Sequence, residues 1–206
     1  MITKLDVINS CLGAIGENPV TNADSSHPSA IAARAVFDRV TKSIQSRGWW
    51  FNQEYRFTLI KNLAGEIILP STTLKVDAVK EGRNYVQRGL RMYNARKHTF
   101  IIEHNLMVNI IIQLEIEDCP VSMADWIMKQ CTYEFYRNDD GDADKTGDLK
   151  SEAFRAEIEA KKENLAASDL NAQNRPISLL MASRLRGPYG FYGIYNAGEN
   201  PSIPGG

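Results

Sequence analysis

The chain has 206 residues, of which 43% are hydrophobic and 24% charged, with 24 Lys plus Arg against 25 Asp plus Glu for a formal net charge of −1. That balance excludes the large positive surplus by which a non-specific nucleic-acid binder replaces phosphate counterions, so any nucleic-acid role must be local. The length suits one domain, or one domain with an inserted subdomain, and no stretch approaches the roughly 18 apolar residues of a membrane span.

The first ten residues, MITKLDVINS, contain no apolar run of signal-peptide length. Residues 3–15 read as an amphipathic helix, with Thr3 as the cap, Asp6 near the positive end of the helix dipole, and Leu5, Ile8, Leu12 and Ile15 at helical spacing before Gly16. A polar loop leads to Pro28, which suits the first turn of a second helix running to about Arg47. Its apolar stripe is Ala33, Val36, Phe37, Val40 and Ile44.

After Gly48 the period falls from 3.6 to 2. Trp49, Phe51, Tyr55, Phe57 and Leu59 alternate with polar neighbours, as in a half-buried strand over 49–59. Further strands are expected at 66–69, 74–79, 84–87, 90–93, 100–103 and 108–116, separated by turns of hairpin length. Asp118 and Pro120 open a third helix carrying Trp126, Met128, Tyr133, Phe135 and Tyr136. Beyond a polar loop at 138–147, a last helix is expected over 148–168, with Phe154, Ile158 and Leu165 as its buried side and Glu157 paired with Lys161. From Asn171 onward tyrosines and Phe191 stand among glycines and prolines, a composition that cannot form its own core. That tail is expected to be extended or mobile in the isolated chain.

The pattern predicts an α+β fold: a helical bundle built from both chain ends (1–48 and 118–170), an inserted antiparallel β unit (49–117) and an extended C-terminal tail (171–206). Gly48, Trp49, Phe51, Gly89 and Pro120 are candidate fold determinants, because they end a helix, anchor the sheet, form a tight turn and start a helix.

Several patterns could carry chemistry. Lys80, Arg83, Arg88, Arg91, Arg96 and Lys97 make the hairpin region basic, with Glu81 the only acid among them. Interleaved Tyr85 and Tyr93 could stack on bases, but a charged rim pairing with an acidic neighbour is the reading preferred for Arg83, Arg88, Arg91, Arg96 and Lys97. Asp140, Asp142 and Asp144 suggest a calcium loop, yet the sixth position holds Lys145 and the twelfth Ser151, where glycine and glutamate are required. Cys11, Cys119 and Cys131 with His27, His98 and His104 show no zinc-ligand spacing. Three cysteines this far apart argue against a disulfide framework and fit a reducing cytosol, with Cys11 a small core residue. Glu103, Glu115, Glu117 and Asp118 could supply a carboxylate pair for glycoside hydrolysis, but nothing in their spacing selects one. No catalytic, metal or cofactor residue is assigned.

Five segments in order carry a family resemblance: CLGAIGENPV at 11–20, IQSRGWWFN at 44–52, ILPSTTLKVDA at 68–78, YVQRGLRMYNARKHTF at 85–100 and LEIEDCP at 114–120. Together they resemble the tail tubular protein A family of short-tailed bacteriophages, over residues 1 to about 137. The resemblance implies a structural virion protein made in the host cytoplasm, with no cofactor and no dedicated enzymatic activity. It implies a dodecameric ring of copies between the phage portal and the tail nozzle (tubular protein B), touched transiently by passing genomic DNA and not by membrane. A tail-associated glycan hydrolase and a DNA-binding accessory protein are the alternatives.

Overall fold

A computed structural model describes residues 1–79, 84–139 and 141–173. Residues 80–83, Asp140 and the residues from 174 onward lie outside the described residues, and with them the expectation of an extended or mobile tail. Two units divide the chain, Met1–Asn164 and Leu165–Gly206; of the second, only the start is described.

The first helix, α1 (Lys4–Ala14), begins in a reciprocal cap. The Asp6 amide donates to the Thr3 hydroxyl at 3.2 Å, and the Thr3 amide donates to the Asp6 carboxylate at 2.8 Å. Two amides that the helix cannot pair are thereby satisfied. The Thr3 backbone and hydroxyl bonds also hold the Asp6 carboxyl below its ordinary range. Helix α2 (Pro28–Gln45) starts at its proline, where a missing N–H costs nothing. Helix α3 (Val121–Asp139) follows Pro120, whose carbonyl accepts the Ala124 amide at 2.9 Å. Helix α4 (Ala143–Gln173) starts five residues before the expected 148, because the Asp142 carboxylate accepts the Lys145 amide at 3.1 Å and caps it there.

Between α2 and α3 the described residues form five strands: β1 (Gln53–Leu59), β2 (Thr73–Ala78), β3 (Tyr85–Arg88), β4 (Arg91–Asn94) and β5 (Leu106–Ile112). They form an antiparallel sheet in the order β1-β5-β2 and a separate β3-β4 hairpin. On β5, Leu106, Val108 and Ile110 are buried while Met107 and Asn109 are exposed, the alternation expected of a sheet with one covered face.

Three expectations fail locally. The strand expected over 49–59 starts only at Gln53, because residues 49–52 form a turn closed by the Asn52 amide on the Trp49 carbonyl at 3.2 Å. Within β1 the register shifts between Glu54 and Phe57, with Arg56 at φ 57°. A bulge of this kind breaks strict alternation, so Tyr55 and Phe57 are exposed and only Leu59 is buried. Segments 66–69 and 100–103 are not strands: an isolated antiparallel bridge, Ile68 opposite Arg91, flanked by bonds from Leu69 N–H to Leu90 C=O and from Met92 N–H to Ile67 C=O, holds the first, and the bond from Ile102 N–H to Gly65 C=O ties the second, without a ladder. Finally, Phe154, Ile158 and Leu165 are not buried. The packed face of α4 is Ala153, Ala156 and Ala160, small side chains that let a helix backbone come close to its neighbours.

Two apolar clusters result. The larger joins Val7, Cys11, Phe37, Ile44, Trp126 and Phe135 of the helices with Trp49 and Ile116 from the connecting turns. The smaller lies inside the β unit around Leu59, Ile67, Met92, Ile102, Val108 and Ile110. Two buried side-chain amides join α2 to the chain on either side of the sheet. Gln45 donates to the Leu114 carbonyl at 2.9 Å and accepts the Leu114 amide at 2.8 Å. Asn52 donates to the carbonyls of Gln45 and Ile112, each at 3.0 Å, and accepts the Trp49 amide at 2.8 Å.

Candidate assembly surface on the hairpin

The tight turn joining β3 to β4 places Arg88 and Arg91 opposite each other as the last cross-strand pair. Gly89 in that turn has φ 61° with open space around it. A second turn after β4 carries Arg96 and Lys97, whose amides both donate to the Asn94 carboxamide oxygen at 3.0 Å. Arg88, Arg91, Arg96 and Lys97 are all exposed. The hairpin thus brings these four candidate rim residues onto one β element. Arg83, the fifth, lies outside the described residues.

Three of the four are held from within the chain. The Arg88 guanidinium stacks 3.5 Å above the centre of the Tyr93 ring. Arg91 lies 4.1 Å over the Phe100 ring and pairs with Glu66 at 3.1 Å. Lys97 meets Glu103 at 2.6 Å. That bond and its field raise the lysine and lower the carboxyl of Glu103. Tyr93 and Phe100 meet edge to face at 5.0 Å, so aromatic rings and arginines form one stacked array. Glu66 and Glu103 were not visible as partners in the sequence, because they stand outside the basic segment and arrive by chain folding. They remove part of the basic character that counting charges along residues 80–97 suggested.

Tyr85 and Tyr93, offered for stacking on bases, are buried, with Tyr85 edge-on to His104 at 6.0 Å. Rings in this state support the sheet and are not open to a nucleic acid. Of the carboxylates considered for glycoside chemistry, Glu103 is bound to Lys97 and Glu117 accepts the Lys4 amide at 3.0 Å. Among the described residues, the carboxyls with displaced titration are Asp6, Glu103 and Glu157, and all three move downward. A general acid needs the opposite shift.

The candidate fold determinants take distinct places. Gly48 has φ 79°, and a Cβ there would run into the side chains of Gln53 and Ile111. Trp49 inserts into the helical cluster, donating from Nε1 to the Ile44 carbonyl at 2.8 Å, with its ring edge-on to Trp126 at 5.5 Å. It therefore anchors the turn to the helices and does not stand on a sheet face. Phe51 is half-buried against the same cluster. Cys11 and Cys131 are buried among the helices. Burial pushes the Cys11 thiol up to about 12, a Thr132 hydrogen bond partly opposing it, and raises Cys131 as well. Neither is poised as a nucleophile. Among the described residues no helix is long and apolar enough to cross a membrane.

The model of the tail tubular protein family matches residues 5–173, which span the helices and the β unit. The chain is also 29% identical over 162 residues to "Tail tubular protein A" of Klebsiella phage KP34, covering 79% of this chain and 87% of that protein.

Proposed function

The chain belongs to the tail tubular protein family, whose members are structural proteins of the phage tail, and we propose that its copies close into an adaptor ring joining portal to nozzle. The ring, dodecameric if it follows the portal, leaves a central channel through which genomic DNA passes. The observation that carries this reading is the family match over 5–173, which includes both the helical scaffold and the β unit it displays. The hairpin array supports it further. Arg88 and Arg91 stacked on rings, Arg91 paired with Glu66 and Lys97 paired with Glu103 are pre-ordered, which lowers the entropic cost of docking. Such a rim meets an acidic protein surface without holding DNA strongly, and passing DNA must slide. No dedicated enzymatic step belongs to this function.

Electron microscopy of the purified protein mixed with its portal tests the proposal. Closed rings seated on the portal are expected; a protein that stays monomeric beside an intact portal overturns it. Reversal of Arg88 and Arg96 to glutamate is expected to weaken portal docking while the circular dichroism of the free chain is unchanged. Release of reducing ends from host capsular polysaccharide by the pure protein would point instead to a tail-associated hydrolase.

A further inference from the structure

We infer that the outer stripe of α4 is a docking face for a second copy of the chain, receiving that copy's acidic corner at the start of α3. The inference rests on the ring reading and names its subunit interface.

The first half of the argument is an apolar face without cover. Phe154 is 61% exposed and Ile158 36% exposed, although four residues apart they share one side of the helix. Large apolar residues at helical spacing are a burial pattern, yet alanines take the burial inside this chain. Basic side chains flank the pair: Lys150 four residues before Phe154, Arg155 beside it, and Lys161 and Lys162 beyond Ile158. Lys161 and Lys162 are paired with Glu157 and Glu159 on their own helix. Among the described residues, no ion pair uses Lys150 or Arg155.

The second half is a surface of opposite sign. Val121, the first residue of α3, is 75% exposed. Glu115 and Asp118 stand just before it, exposed and in no ion pair among the described residues. Their negative field is felt locally: after burial, the charges of Asp118, Glu117 and Glu115 help push the Cys119 thiol up to about 11. An apolar residue with an acidic border thus faces outward on one element, and apolar residues with a basic border face outward on another. That is the composition of an interface core with a complementary rim.

The two surfaces cannot meet within one chain. Ser122, next to Val121, donates its hydroxyl to Glu163 of α4. Glu163 is nine residues from Phe154, about two and a half turns at 3.6 residues per turn, and so lies on the opposite side of the helix. The side of α4 that meets the start of α3 is therefore turned away from the stripe. Two different surfaces that fit each other only between molecules give head-to-tail contact, and repetition of such a contact closes a ring when its rotation divides a full turn.

Paired charge reversal tests the pairing. One variant carries Lys150→Glu and Arg155→Glu, the other Glu115→Lys and Asp118→Lys. Each alone is expected to lose rings on the portal, and an equimolar mixture is expected to regain them, because alternating copies again place opposite charges together. A third variant, Phe154→Glu with Ile158→Glu, is expected to lose rings while keeping the far-ultraviolet circular dichroism of the unmodified chain. To cover misfolding of any of these, the chain bearing Val121→Cys and Ile158→Cys is oxidised after assembly, and a ladder of covalent multimers is expected on a non-reducing gel. Rings from the unmodified protein with no ladder, or with no rescue in a mixture of folded variants, would overturn this interface and leave the ring reading standing. Absence of rings from the unmodified protein would overturn the ring reading itself, and the interface with it.

Discussion

The helical unit and the β unit spend their apolar side chains in opposite ways. The helices bury the larger apolar cluster, which also draws in Trp49 and Ile116 from outside them, and leave Ile31, Val121, Phe154 and Ile158 exposed. The β unit closes a smaller cluster and carries most of the exposed large apolar residues, among them Tyr55, Ile60, Leu63, Ile68 and Ile101. Burial is the main source of stability, so the helical unit is the scaffold. The β unit leaves more of its apolar side chains exposed, and monomeric soluble proteins rarely expose so much apolar area without a partner. A tail subunit needs both: a rigid body to set geometry and a surface to meet neighbours.

The contrast is sharpest at Trp49. Trp49→Ala is expected to cost roughly 3–5 kcal/mol in urea denaturation, as for a fully buried aromatic. Leu63→Ala in the exposed loop is expected to stay within about 0.5 kcal/mol. Similar losses at the two positions would break the division into scaffold and surface.

The joint between the units comes next. Asn52→Ala removes the acceptor of the Trp49 amide and a donor to the Gln45 and Ile112 carbonyls. A loss of about 2–3 kcal/mol is expected, given roughly 1–3 kcal/mol for a buried group left unpaired. Hydrogen exchange should show the β5 amides losing protection before those of α2. Uniform loss over both units would mean that they unfold as one.

Two glycines separate strain from crowding. Gly48 and Gly89 both have positive φ, but only Gly48 has neighbours in the way of a Cβ. Gly89→Ala is expected to cost roughly 1–2 kcal/mol for its left-handed backbone alone, and Gly48→Ala more, as read from melting temperatures. Equal losses would show that Gln53 and Ile111 yield freely.

The smallest effect lies at the start of the scaffold. Thr3→Ala is expected to cost about 1 kcal/mol at neutral pH through loss of the cap. The folded Asp6 carboxyl titrates below its ordinary value of 3.8. Its contribution is therefore present above that value and lost as pH falls through the folded one. The difference between variant and parent should shrink accordingly below about pH 4. A difference that persists at pH 2 would assign the loss to the hydroxyl alone.

Much of this was legible from local pattern. The Thr3 cap, the proline-started α2, the end of helix at Gly48, the β3-β4 hairpin and the return to helix after Pro120 are all local events. Each is governed by backbone dihedrals, capping bonds or side-chain period within a few residues, and these act whatever the rest of the chain does. What only the tertiary structure decided was which face meets which. Periodicity reports that Phe154 and Ile158 share a side of α4; it cannot report that Ala153, Ala156 and Ala160 would win the packing, because that depends on how closely the other helices approach. It ranked Trp49 with a sheet face, although a four-residue turn and the Asn52 carboxamide send the indole into the helices. It counted the hairpin's charges without Glu66 and Glu103, which reach Arg91 and Lys97 only after the chain has folded back. Local energies select the elements; the fit of surfaces far apart in sequence selects their partners.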